Sequence, residues 1–248
     1  METIETLTLG EIVKKNYKAA DIFEEFSLDF CCNGDRMIDE ACTARGVDPS
    51  LVKDRLRELS TEERNSDVVD FDTWPLHRLI DHIVNRHHKY VEELTPRIKA
   101  YLDRISKVHG SRHPELYDVR EIFAEVGGEL AVHMKKEELM LFPFIKKLER
   151  AKENNEPASS PLFSSILSPV AMMKADHAEE GEKLARIAAL TNNYTPPPDA
   201  CGTYEVTFDL LKEFEKDLHR HIHLENNILF PKSIAAEESL RSWRRGQF

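Results

Sequence analysis

The sequence predicts an all-α protein, an up-down four-helix bundle preceded by a small helical N-terminal domain. Three observations carry the prediction. Four long amphipathic segments fill the chain from about residue 74 onward, and the junctions between them are rich in turn and helix-breaking residues. Glycine is also scarce, nine in 248 residues, where a turn-rich β fold would need more.

Residues 1–60 read as the small helical domain. Leu9, Ile12 and Val13, then Ala20, Ile22, Phe23 and Phe26, give a broken helical stripe. A turn follows at Cys31-Cys32-Asn33-Gly34. A short helix is predicted over Arg36 to Arg45, stopped by Gly46, and another to Leu59, opened by Asp48 as N-cap with Pro49 in the first helical position. Residues 61–73 are polar, without sustained period, and read as a linker.

The bundle is predicted over 74–236, with helices near 74–108, 115–151, 160–192 and 203–236, and 237–248 as a C-terminal tail. The breaks contain HGSRHP, ENNEPASSP and NNYTPPPDACG. Each helix carries an apolar stripe at steps of three and four. The first runs through Val84, His88, Val91, Ile98, Leu102 and Ile105, with a gap at Thr95. The second runs through Val126, Leu130, His133, Glu137, Leu141, Phe144 and Leu148. Ile166, Val170, Met173, His177 and Leu184 form the third, and Leu211, Phe214, Leu218, His221, Glu225 and Ile228 the fourth. Arg241, Arg244 and Arg245 read as a solvated helix end.

Composition narrows the function. The net charge of −11 argues against nucleic acid as a partner. No run of 18 apolar residues predicts a membrane span. The first residues lack a basic segment followed by an apolar one, so no secretory signal is expected. Two of the four cysteines are adjacent, a poor arrangement for a structural disulfide, so reduced thiols in the cytoplasm are the expectation.

The chain repeats itself. His133 to Pro143 and His221 to Pro231 both obey H-x-x-x-E-x-x-x-L-F-P, 88 residues apart, and a core histidine one helix earlier recurs as His88 and His177, 89 apart. A histidine and a glutamate four residues apart share a helix face. The repeat therefore points His88, His133, His177 and His221, with Glu137 and Glu225, into one level of the core. A lone histidine on an apolar face is usually a hydrogen-bonded core residue, and an isolated H-x-x-x-E is usually a surface pair. The duplicated motif on two apolar stripes is hard to obtain by chance. Burying two carboxylates and four imidazoles without partners is costly, and two divalent metals bridged by the glutamates and capped by the histidines remove that cost. Such mixed ligation suits iron and also admits manganese or zinc. Leu-Phe-Pro reads as structural, its proline perturbing the helix beyond the site.

Other candidates carry less. His87 adjoins His88 on a face with fewer apolar partners. His219 and His223 fall on another face than His221, solvated or behind the ligands. His77, His82, His109 and His113 lack a pattern. Glu129 and Asp176 stand next to ligand positions and read as plain polar neighbours before they read as orienting groups. Cys31 and Cys32, beside Asn-Gly, are expected to be exposed, where thiolates suit iron transfer or contact with a client.

With these residues in place, the chain resembles the iron-sulfur cluster repair di-iron proteins, the YtfE/ScdA family. The resemblance rests on Asp29-Phe30-Cys31-Cys32-Asn33-Gly34, Asp81-His82-Ile83 leading to His88, His133 to Glu138, Asp176-His177, His221 with Leu224-Glu225-Asn226-Asn227, both Leu-Phe-Pro triplets, and Thr191 to Cys201. It implies a hemerythrin-like bundle with His88, His133, His177 and His221 as iron ligands and Glu137 and Glu225 as bridges. It further implies a role in restoring iron-sulfur clusters damaged by oxidative or nitrosative stress, with damaged iron-sulfur proteins as partners, and a homodimer. Supply of iron is the favoured mechanism. The alternatives are reduction of nitric oxide to N2O at a diferrous site, which would make the protein an enzyme, and reversible binding of O2 or NO. No Ser/His/Asp or phosphate-loop motif is present.

Overall fold

A computed structural model of the chain describes residues 4–62, 69–154, 156 and 165–245. The described residues are helical apart from turns, 3-10 segments and a single β-bridge between Thr8 and Met37. None of their helices is long and apolar enough to cross a membrane.

The N-terminal helices are α1 (Leu9–Lys15), α2 (Ala19–Glu25), α3 (Ile38–Arg45) and α4 (Pro49–Glu62). Local chemistry sets their ends. Thr8 and Glu11 exchange side-chain and backbone hydrogen bonds in a capping box at the start of α1. Ser27, at φ 54°, ends the run after α2. Gly46, at φ 70°, closes α3 in the left-handed conformation that glycine takes without strain. Asp48 accepts from the Ser50 amide and leaves Pro49 as the first residue of α4. The third helix begins at Ile38, two residues past its expected start, because Arg36 is held in the turn, where its carbonyl accepts from the Leu9 amide.

Four long helical stretches make the bundle. The first joins α5 (Leu76–His82) to α6 (Lys89–His109) through a π-helical segment, Ile83–His88. The second joins α7 (Glu115–Lys136) to α8 (Phe142–Asn154) through Glu137–Leu141. The third, α9 (Leu167–Leu190), is regular throughout. The fourth joins α10 (Gly202–His223) to α11 (Phe230–Arg245) through Leu224–Leu229. Neighbours in the chain are neighbours in space, and the fourth stretch closes the ring against the first. The fourth stretch passes its expected end at 236 to reach Arg245, and the expected start of the third, 160–164, lies outside the described residues, as does linker segment 63–68. The rest of the linker is more structured than its polarity suggests. Phe71 is buried, with its ring against Tyr17 of the N-terminal unit and Trp74 of the bundle.

The apolar core divides in two. One cluster fills the bundle from Val91 and Leu130 through Ile105, Phe123, Phe208 and Phe214, and continues into the N-terminal unit. The other packs Leu79, Ile83, Leu141, Phe142, Val170, Leu229 and Phe230 at the opposite end. Histidine and glutamate side chains occupy the level between them. The π segments sit at that same level. In each, an amide reaches five residues back, from Lys89 to Val84, Phe142 to Glu137 and Phe230 to Glu225. The gap at Thr95 lies beyond the first of them, in regular α6, where the Thr95 hydroxyl donates to the Val91 carbonyl. The wider turn adds a residue to the helix at the level of the donors. It also lets Pro143 and Pro231 follow at once without breaking either helix, so the expected perturbation beyond the site is taken up within it.

The N-terminal unit packs on the bundle through α1 and the segment Leu224–Leu229. Two glycines permit the approach. A Cβ on Gly34 would stand 2.4 Å from the Phe30 carbonyl oxygen and 3.1 Å from the Asn227 side chain, and one on Gly10 would meet the Gly34 carbonyl at 3.0 Å. Gly34→Ala is therefore expected to cost about 1–3 kcal/mol in urea unfolding and to speed alkylation of Cys31. Unchanged stability and unchanged thiol reactivity together would refute this packing.

Candidate metal centre

Six side chains converge between the two apolar clusters. Their donor atoms form two groups, His88, Glu137, His221 and Glu225 on one side and His133, Glu137, His177 and Glu225 on the other. Both glutamates belong to both groups, and each is fully buried at 0% exposure. Within each group the donor atoms lie within 4.8 Å of one another. His88 and His133 each present Nε2 to Glu137 Oε2 at 3.5 Å. His177 and His221 present theirs to Glu225 at 3.1 Å.

The donor set fits a pair of cations better than it fits itself. The Nε2 atoms of His133 and His177 face each other at 3.0 Å, which at most one proton can bridge. Both carboxylate oxygens of Glu137, Oε2 of Glu225 and Nε2 of His88 are buried without a hydrogen-bond partner. The outer nitrogens are mostly satisfied. His88 Nδ1 lies 2.9 Å from Glu138 Oε1, His133 Nδ1 3.3 Å from Asp176 Oδ2, and His177 Nδ1 3.0 Å from Asn226 Oδ1. Each acceptor favours a proton on Nδ1 and so turns the Nε2 lone pair inward, as a metal requires. His221 Nδ1 alone has no partner.

Electrostatics follow from this crowding. Burial alone would raise the Glu225 carboxyl, but His221 and His177 outweigh it and hold it well below the carboxylate range. Burial likewise opposes a charged His133, yet Glu137 beside it lifts the imidazole to about 9. Imidazoles thus stand in for the missing positive charge, a role that divalent cations would take over.

The Leu-Phe-Pro triplets pack as expected. Phe142 stacks on the His88 ring at 5.8 Å and Phe230 on His177 at 6.1 Å, so each repeat braces a histidine of the helix that precedes it. His87 is as buried as His88 but turns away from both donor groups. Its Nδ1 meets Asp217 Oδ2 at 3.0 Å, and its ring stacks on His221. His223 is buried and His219 half-buried, so neither is the freely solvated residue expected. Both rings pack on Phe30, and burial lowers His223 to about 3, because this helix face receives the N-terminal unit. His77 pairs with Glu149, His109 with Cys201 and His113 with Asp199, while His82 packs on Phe71 and Trp74. Glu129 pairs with Lys183. Asp176, expected to be a plain polar neighbour, instead orients His133.

The cysteine turn departs from its expected exposure. Cys31 is only 3% exposed and Cys32 is half-buried. Asp29 Oδ1 accepts from the amides of Cys31 and Cys32 and from the Cys31 thiol, and Oδ2 accepts from Asn33, which folds the turn onto itself. Docking buries it further, since Cys32 Sγ reaches the His177 carbonyl at 3.5 Å and the Cys31 carbonyl accepts from Asn226. Glu138 and Asn226, part of the family resemblance, had no role assigned from the sequence. The repeat held the signal, because each follows the glutamate of its motif.

Imidazoles and shared carboxylates at one depth of four helices define a metal-binding helical bundle. Residues 79–233 match the hemerythrin HHE cation binding domain, and residues 5–60 match a domain of unknown function, DUF542. The chain is 31% identical over 229 residues to proteins named iron-sulfur cluster repair protein YtfE from Escherichia coli O81, Citrobacter koseri and Escherichia fergusonii, covering 92% of this chain and 97% of each relative. This chain belongs to the hemerythrin HHE family and, within it, to the iron-sulfur cluster repair proteins.

Among the buried acids outside the donor groups, Glu180 has the least exposure. Glu180, one turn beyond His177, is lifted to about 8 by burial, with the Glu129 charge adding to the effect. A folded-state value above the unfolded 4.5 means that its protonated form contributes stability fully below 4.5, and that this contribution is lost as pH rises to about 8. Glu180→Gln should leave stability unchanged below pH 4.5 and increase it progressively up to pH 8, measured by urea unfolding of metal-free protein. A pH-independent difference would contradict the assignment.

Proposed function

We propose that this protein holds two iron ions among His88, His133, His177, His221, Glu137 and Glu225 and supplies iron to clusters of damaged iron-sulfur proteins. The reading rests on one observation, the sharing of both buried glutamates between two groups of four donors. The names of the relatives give it direction. The hemerythrin family supports iron as the metal, and the donor chemistry agrees. We further propose that 1–60 and 74–236 work as two domains joined by 61–73, in a cytoplasm that keeps all four cysteines as free thiols.

Ferrous iron in this site would supply a labile, redox-active cation. The protein's own groups prepare for it. Glu137 and Glu225 bring two negative charges into a buried core. Glu138, Asp176 and Asn226 hold three imidazoles with their donor nitrogens inward. Asp29 keeps the cysteine turn closed, and the neighbouring Cys32 thiol together with burial raises the Cys31 thiol well above its usual value, so that it stays protonated at rest. Opening the turn would release two adjacent soft donors beside the His177 helix, placed to receive iron or to meet a client's thiolates. That placement favours supply of iron over reduction of nitric oxide, which would use the same six residues and leave the cysteine turn without a task.

Protein purified without oxygen should contain two irons per chain, with a Mössbauer spectrum of a coupled pair. Because the glutamates are shared, Glu137→Ala and Glu225→Ala should each lose both irons. Full iron content in either variant would exclude the bridging role. Cys31→Ala/Cys32→Ala should keep its iron and lose repair of a damaged cluster in vitro. Undiminished repair would reduce the turn to packing.

A further inference from the structure

We propose that Asn226 is a positioning residue that couples metal binding to closure of the cysteine turn. The inference rests on the metal site proposed above and adds a link between it and the N-terminal unit.

The repeat frames the argument. In one half, His88 Nδ1 is held by Glu138, a carboxylate that also takes Lys135 at the surface. The corresponding residue in the other half is Asn226, which holds His177 Nδ1. A carboxylate only accepts, whereas an amide accepts at one end and donates at the other. Asn226 uses both ends. Its Oδ1 faces His177 Nδ1 at 3.0 Å, and its Nδ2 donates to the Cys31 carbonyl at 3.2 Å. The side chain is buried, so no solvent competes for either end.

The coupling follows from orientation. A cation on His177 Nε2 would fix the ring and require the proton on Nδ1. Nδ1–H then requires an acceptor, which fixes Oδ1 of Asn226 toward the histidine and Nδ2 toward Cys31. Without a cation, the inner side of the ring meets only His133 Nε2 at 3.0 Å and Glu225 Oε2 at 3.1 Å. The ring is then held less firmly, and the amide that bridges it to the Cys31 carbonyl loosens with it. Metal therefore favours the closed turn, and by linkage the closed turn tightens metal binding by the same factor. Around this relay, Asn227 Nδ2 donates to the Phe30 carbonyl at 3.1 Å, and Cys32 Sγ contacts the His177 carbonyl. These contacts hold the turn in register. Asn227 Nδ2 also meets His223 Nδ1 at 3.0 Å, but none of these contacts reaches a ring nitrogen of the donor groups.

The test uses the full chain and Mn(II), which takes carboxylate and imidazole ligands and has little affinity for thiols. Alkylation by N-ethylmaleimide is followed separately at each cysteine by peptide mass spectrometry, and bound Mn(II) by electron paramagnetic resonance. In the wild type, Mn(II) should slow alkylation of Cys31 and Cys32 by about 5- to 150-fold and leave exposed Cys201 unaffected. Asn226→Asp keeps an acceptor for His177 and loses the donor for Cys31, so it should bind Mn(II) and lose the slowing. Asn226→Ala should weaken Mn(II) binding by about 10- to 100-fold. Mn(II) bound to the wild type with unchanged alkylation, or full slowing in Asn226→Asp, would overturn the coupling while leaving the metal site standing. Failure of the wild type to bind Mn(II) would overturn both. Should Asn226→Asp not fold, the wild-type comparison decides alone.

Discussion

Two fully buried carboxylates govern this structure. Glu137 and Glu225 stand at the centre of a helical core, each at 0% exposure and paired among the described residues only with histidines, and a bare carboxylate there is untenable. The rest of the bundle reads as an answer to that problem. Four imidazoles surround the pair, one from each helical stretch. Three of those four stretches widen into π turns at the level of the carboxylates, and the apolar core stops above this level and resumes below it. Two hydrophobic clusters supply the folding free energy on either side, so the layer between them is free to be built for charge rather than for packing.

The N-terminal unit belongs to the same logic. It covers the helix face that carries His219, His223, Asn226 and Asn227, and it does so with backbone carbonyls of the cysteine turn and with Gly10 and Gly34. Covering this side excludes water from the outer nitrogen of His177. It also gives the Asn226 amide a partner that it would otherwise take from solvent. On this side the docking surface and the outer support of His177 thus share one residue, Asn226, and the unit cannot leave without exposing the hydrogen bond that orients this histidine.

Much of this was legible in the sequence, for a physical reason. Spacing of three and four along a helix dictates a face, so His133, Glu137, His221 and Glu225 announced their direction, and the repeat added His88 and His177. What resisted reading depends on contacts between elements. Cys31 beside Asn-Gly looks exposed until the turn folds around Asp29 and docks. His223 looks polar until Phe30 covers it. The π turns left no trace in the stripes, because a periodicity of 3.6 cannot represent a turn that holds an extra residue. Glu138 and Asn226 were within reach. The residue after each glutamate occupies the same place in both halves, and comparing the halves position by position would have marked them.

That comparison also shows where the two halves part. At the glutamates and histidines they agree, because both must meet the same charge requirement. Behind the histidines they differ. Glu138 ties His88 to Lys135 at the surface, Asn226 ties His177 to the cysteine turn, and where Asp176 supports His133, its counterpart His87 stacks on His221 and leaves that ring's Nδ1 without a partner. Orientation of a ligand by its outer hydrogen bond is worth roughly 10- to 100-fold in affinity, so two donor groups with unlike outer support would hold cations unequally. On the reading of this protein as a source of iron, that inequality is useful. The group of His133 and His177, with Asp176 and Asn226 behind its two imidazoles, would hold a cation more firmly than the group containing the unsupported His221.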